Sequence, residues 1–209
     1  MEVKPTRPIM HMIAGPNGAG KSTLYDTVLS QRLQAPFINA DIIQKQELND
    51  PSMEAAYTAA VIAETRRQEY IQKKRSFVSE STFSHASKLK LIENAKKGGF
   101  RVILYHVNVR TPDLSVHRVA ARVHEGGHDV PEDKIRARYA RNQRLIRSAI
   151  ISADNGIVYD NSQLNEPPRW IILFEAGKII NISTPIPQWA RHLYARKIKR
   201  FINANPAIQ

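Results

Sequence analysis

Cysteine is absent from the 209-residue chain. Disulfide staples, thiolate catalysis and cysteine-based zinc sites are excluded together. Acidic side chains are scarce, with 19 Asp and Glu against 31 Lys and Arg, a formal charge of +12. Such an imbalance favours polyanionic partners. Aromatic residues make up 7% of the chain. No stretch interleaves them with basic residues as base-stacking surfaces do, which makes nucleic acid an unfavoured ligand in spite of the charge. No apolar run approaches the length of a membrane span, and the first residues lack the apolar core of a signal peptide. The expectation is a cytoplasmic protein with no membrane attachment. His11, His106, His117, His124 and His128 follow no metal-ligand spacing, and none is read as a ligand.

What is present is the composition of one globular domain, 42% hydrophobic and 24% charged. A chain of this length buries a substantial core. It shows no repeat, low-complexity tract or linker, so residues 1–209 read as a single domain. Short apolar runs at 8–14, 36–39, 76–79, 101–109 and 155–160 read as strands. Helical patterns cover 21–32, 52–74, 86–98, 112–124, 132–150 and 186–204. The alternation predicts an α/β fold of three layers, a mainly parallel sheet with helices on both faces. Ligands in such sheets sit at the carboxyl ends of the strands. Residues 169–182 read as two short strands around Ala176-Gly177, a late hairpin or sheet edge. Trp170, Phe174 and Trp189 read as core or cover. A helical extension over 186–209 carries Arg191, Arg196, Lys197, Lys199 and Arg200, read as a solvated face.

Residues 15–22 read Gly-Pro-Asn-Gly-Ala-Gly-Lys-Ser, the phosphate-cradling P-loop pattern. Gly15, Gly18 and Gly20 allow the backbone to turn tightly and bring N–H groups to phosphate oxygens. Asn17, Ala19 and Thr23 complete the expected nucleotide-binding set. Lys21 reaches the β- and γ-phosphates, and the Ser22 hydroxyl is a ligand for Mg²⁺. A strand-like run precedes the loop and a helical pattern follows it, as an anion site at a helix N-terminus requires. ATP and Mg²⁺ are therefore the expected cofactors.

Polar residues at the ends of the later strands are candidates for chemistry. Asp41 lies just beyond the second strand, where it serves either as a base for an attacking hydroxyl, as a group binding Mg²⁺ through water, or as a helix N-cap. Glu80 ends the third strand. With Thr82 it suits recognition of substrate OH and NH groups, or a strand-end turn. No apolar run ends in Asp as a motor ATPase strand does, which points to a kinase-type layout. Asp160 and Asn161 close the last parallel strand and are weak candidates for contact with the adenine base.

Residues 111–145 read as a lid. Thr111-Pro112 opens a helix with Thr as cap and Pro in the first turn. Arg118 and Arg122 share one face of it. Gly126-Gly127 forms a joint, and Pro131 starts an Arg-rich helix with Lys134, Arg138 and Arg141 together on one face. Arginines so placed suit a migrating phosphoryl group, and equally suit the exposed faces of ordinary amphipathic surface helices.

Four segments together resemble the zeta toxin family of P-loop kinases: residues 15–23, Asn39-Ala40-Asp41, Glu80-Ser81-Thr82-Phe83-Ser84, and Arg118 through Pro131. The resemblance runs from about residue 8 to 162. It implies a kinase that phosphorylates a sugar hydroxyl of UDP-N-acetylglucosamine or a related nucleotide-linked substrate. By this resemblance Asp41 is the catalytic base, Glu80 and Thr82 contact substrate, and Arg118 and Arg122 stabilise phosphate. Where some members carry an arginine before the lid proline, this chain has His128 and Asp129, and Arg138 or Arg141 is the substitute. An antitoxin partner would be a separate protein. Two other readings remain open: a kinase acting on nucleic-acid ends, and a non-enzymatic nucleotide-binding switch.

Overall fold

A computed structural model describes residues 7–124 and 130–205. Among these residues the sheet has seven strands, β1 Ile9–Ala14, β2 Phe37–Ile38, β3 Phe77–Ser81, β4 Arg101–Asn108, β5 Asn155–Asp160, β6 Arg169–Glu175 and β7 Lys178–Ile182, in spatial order β2-β3-β1-β4-β5-β6-β7. The first five pair in parallel. The last two extend the sheet antiparallel, and Ala176 and Gly177 both take positive φ at the hairpin turn. The P-loop strand β1 thus lies between β3 and β4, with Ala14 in register with Ser81 on one side and His106 on the other.

Alternation along β1 divides the core. Met10, Met12 and Ala14 join the larger cluster with α3 (Met53–Gln72), α4 (Ser87–Lys97) and α6 (Glu132–Ser152). Ile13 joins a smaller cluster under α1 (Lys21–Leu24) and the segment that follows it. The C-terminal extension forms α7 (Gln188–Leu193) and α8 (Ala195–Ala204), and it contributes Trp189, Tyr194 and Ile198 to the larger core. Phe174 is buried with them, whereas Trp170 is 37% exposed, so it is surface rather than core.

Three helices differ from the sequence expectation. The helix expected over 21–32 is α-helical only to Leu24. It continues as a wider π turn in which the Ser30 N–H donates to the Tyr25 carbonyl at 2.7 Å. Thr27 and Ser30 hydroxyls donate back to the carbonyls of Thr23 and Asp26, competing with regular helical bonds. A short helix, α2 (Ala40–Ile43), with a wide turn to Leu48, falls where none was assigned. Its cap is Asn39, not Asp41, for the Asn39 Oδ1 accepts from the N–H groups of Asp41 and Ile42 at 2.7 and 3.3 Å. The C-terminal helix breaks at Tyr194, which is fully buried with its hydroxyl on His106 Nδ1 at 2.8 Å.

The remaining helix, α5 (Pro112–His124), is capped by Thr111, whose Oγ1 accepts from the Leu114 N–H. Arg136 of α6 pairs with Asp113 of α5 at 2.6 Å, and the Tyr139 hydroxyl donates to the Val109 carbonyl at 2.5 Å. Both helices are thereby held over the carboxyl end of β4. The Gly126-Gly127 joint, His128 and Asp129 lie outside the described residues.

Candidate active site

The P-loop is shaped by what packs behind it. A side chain at Gly15 would lie 2.2 Å from the Val107 carbonyl oxygen of β4, so only glycine fits. Gly18 and Gly20 have φ of +69° and +85°, values other residues adopt at a cost. Ala19 is fully buried, and the buried Asn17 Oδ1 has no hydrogen-bond partner among the described residues. The loop then enters α1 at Lys21.

Glu80 is the centre of the polar group at the loop's mouth. Its Oε2 accepts from the Ser22 hydroxyl and from the Asn39 amide, each at 3.0 Å. Its Oε1 is 3.6 Å from the Lys21 ammonium, the two side chains being 8% and 11% exposed. Lys21 also donates to the Pro16 carbonyl at 3.1 Å. The sheet register explains the grouping: Ile38 pairs with Ser79 and Ile13 with Glu80. Asn39 just after β2, Glu80 near the end of β3 and the loop after β1 therefore meet at one edge.

Ser22 and Glu80 present hard oxygen atoms 3.0 Å apart beside the loop, a donor set that fits Mg²⁺. Asp41 lies in the first turn of α2, exposed, with its N–H on Asn39. It is not among the residues lining the cavity described next. Thr82 follows the end of β3. Its hydroxyl lies 3.5 Å from that of Ser84, and its carbonyl accepts from the Asn142 amide of α6. Arg138 is half-buried one turn before Asn142. Thr82 and Arg138 also stand outside that cavity's lining.

The cavity, of about 620 Å³, runs from the P-loop and Glu80 past Arg118 and Arg122 to Asn161 and the segment 163–167. That is the size of a nucleotide-class ligand site. Arg118 donates to the carbonyls of Asn161 and Gln163 at 2.7 and 3.0 Å. Partial burial lowers its pKa from the ordinary value, while the Asp160 carboxylate opposes the shift. Asp160 and Asn161, the candidates for base contact, are engaged with the protein itself. Asp160 Oδ1 accepts from the Ser162 hydroxyl and the Trp189 indole, and the Asn161 amide donates to the Ala19 carbonyl at 2.9 Å.

Sequence reasoning missed what Asn39, Asn142 and Asn161 do. Their only signal was a polar residue just beyond a strand or amid an apolar helix face, which names no partner.

A profile of the zeta toxin family matches residues 2–165. The chain belongs to the zeta toxin family. An uncharacterised protein of Haemophilus influenzae is 32% identical to this zeta-toxin-family chain over 125 residues, 60% of this chain and 88% of the other. Among solved structures, the PezAT chromosomal toxin-antitoxin system of Streptococcus pneumoniae aligns at a TM-score of 0.61 and 17% identity, covering 96% of this chain and 88% of that one. The AvrRxo1-ORF1:AvrRxo1-ORF2 complex with ATP aligns at 0.67 and 16%, covering 92% of this chain. The chain spans only 64% of that neighbour's length. At these identities the structural likeness establishes the α/β P-loop fold. Family and fold together support nucleotide binding and phosphoryl transfer. Among the described residues no helix is long and apolar enough to cross a membrane.

Proposed function

We propose that this protein transfers the γ-phosphoryl group of ATP to a hydroxyl of a small nucleotide-linked acceptor, with a UDP-N-acetyl sugar as the first candidate. The observation that carries the reading is the convergence of Lys21, Ser22, Glu80 and Asn39 at the mouth of a P-loop, with Arg118 and Arg122 on the same cavity. Phosphoryl transfer needs positioning and charge neutralisation more than covalent chemistry. Lys21 meets the β- and γ-phosphates, and the two arginines meet charge on the migrating group. Ser22 and Glu80 would hold Mg²⁺, which would supply further neutralisation of the phosphate oxygens. Asp41 accepts the proton as the acceptor oxygen bonds to phosphorus and the bond to ADP breaks. Thr82 and Arg138 take the acceptor side. Glu80 is reassigned in part: its bond to Ser22 favours the metal end of the site over the acceptor.

A second reading, a kinase for nucleic-acid ends, draws on the charge of +12. Salt separates the two, because oligonucleotide binding falls steeply between low and moderate salt while a small acceptor is bound with little change. A separate antitoxin is the proposed protein partner, since the PezAT neighbour is a toxin-antitoxin system.

The deciding experiment incubates the protein with ATP and a metabolite extract and searches by mass spectrometry for species heavier by one phosphate. Lys21→Ala provides the background. Asp41→Ala is expected to abolish transfer while ATP still binds. Full activity in that variant removes Asp41 from the mechanism, and no phosphorylated species with any extract removes the kinase reading in favour of a nucleotide-binding switch.

A further inference from the structure

Asn161 is bonded to three parts of the site at once. Its side-chain amide donates to the carbonyl of Ala19 in the P-loop at 2.9 Å. Its main-chain N–H donates to the Asn108 carbonyl at the end of β4, also at 2.9 Å. Its own carbonyl accepts from Arg118 at 2.7 Å. The residue is 7% exposed, and it lines the cavity that runs along the P-loop. Gly20 is fitted to it: a side chain there would come within 2.0 Å of the Asn161 amide nitrogen.

A P-loop binds phosphate only when successive N–H groups point inward. The intervening carbonyls must then point outward and find donors elsewhere, since a buried carbonyl left without one is costly. Ala19 is fully buried, and the Asn161 amide is the donor its carbonyl has. The guanidinium of Arg118 is held by the main-chain carbonyls of Asn161 and Gln163, and all three residues line the same cavity.

We infer that Asn161 is a positioning residue for nucleotide binding, a clasp that fixes the P-loop in its anion-binding form and holds Arg118 in register with it. This rests on the P-loop taking a nucleoside triphosphate and on nothing about the acceptor. It replaces the adenine-contact role with one exerted through Ala19, Gly20 and Arg118.

The test is the affinity for Mg·ATP, by calorimetry, of wild type, Asn161→Ala, Asn161→Asp and Lys21→Ala, with the melting temperature of each nucleotide-free protein. Asn161→Ala is expected to lose about tenfold or more in affinity, with a nucleotide-free melting temperature within a few degrees of wild type. Asn161→Asp, which keeps the shape but sets an oxygen against the Ala19 carbonyl, is expected to lose at least as much, and it carries the test if the alanine variant does not fold. Combined with Arg118→Ala, the losses are expected to be less than additive. Wild-type affinity in both Asn161 variants, while Lys21→Ala abolishes binding, overturns the clasp alone. A wild-type protein that binds no nucleotide overturns the P-loop reading and the clasp with it.

Discussion

Glu80 receives three donors of different kinds: an ammonium from Lys21, a hydroxyl from Ser22 and an amide from Asn39. In the proposed mechanism the first two belong to the phosphate and metal end of the site, while the third bonds the carboxylate from α2's cap residue. Glu80→Gln preserves the shape and removes the charge. Phosphoryl transfer is expected to fall about a hundredfold and to demand more Mg²⁺, read from rate against Mg²⁺ concentration. Asn39 offers a sharper separation, because it both caps α2 and touches Glu80. Asn39→Ala is expected to cost about 1 kcal/mol of stability in urea unfolding together with activity. Asn39→Ser, whose shorter side chain still caps, is expected to recover most of the stability and little of the activity. Recovery of both would leave the cap as the whole role of Asn39.

Among the elements, the two helices next to the active-site loops, α1 and α2, are short and open into wide turns. Hydroxyl groups bonding to their own backbone explain this in α1, and the pattern of apolar spacing does not register it. The helices after β4 behave in the opposite way. α5 has the bounds its sequence predicted, because Thr111 and Pro112 mark its start. α6 is joined to the sheet by the Tyr139 hydroxyl on the Val109 carbonyl. Tyr139→Phe leaves that carbonyl without its donor, and a loss of about 1 kcal/mol is expected by denaturant titration. An unchanged midpoint would mean that solvent supplies the donor.

For the molecule as a whole, two buried histidines make stability depend on pH. Burial lowers the pKa of His106 from 6.5 to about 3. Burial, with the Arg101 charge adding to it, lowers that of His11 to about 4. Both are depressed in the folded state, so below pH 6.5 the unfolded chain binds protons that the folded one refuses. Their contribution is complete above pH 6.5 and is lost as pH falls through the window down to about 4 for His11 and about 3 for His106. Urea midpoints at pH 7.5 and 5 are expected to show the drop, and a neutral isostere at His106 is expected to shrink it. Equal midpoints at the two pH values would show that neither ring stays neutral in the fold.

The sequence by itself determined the P-loop, the strand before it, the parallel α/β alternation and the family, because each is written in residues close together along the chain. It also named Lys21 and Ser22 in the loop, Glu80 at a strand end and Arg118 on a helix face as candidate polar groups. Only the tertiary structure decided which of them touch. The bond from Ser22 to Glu80 spans 58 positions, that from Asn39 to Glu80 spans 41, and that from Asn161 to Ala19 spans 142. Such pairs depend on strand order and register, with β3 and β4 flanking β1. Hydrogen bonds are short-ranged and directional, so an asparagine's partner is settled by where the sheet brings it and leaves no periodic trace in the residues around it.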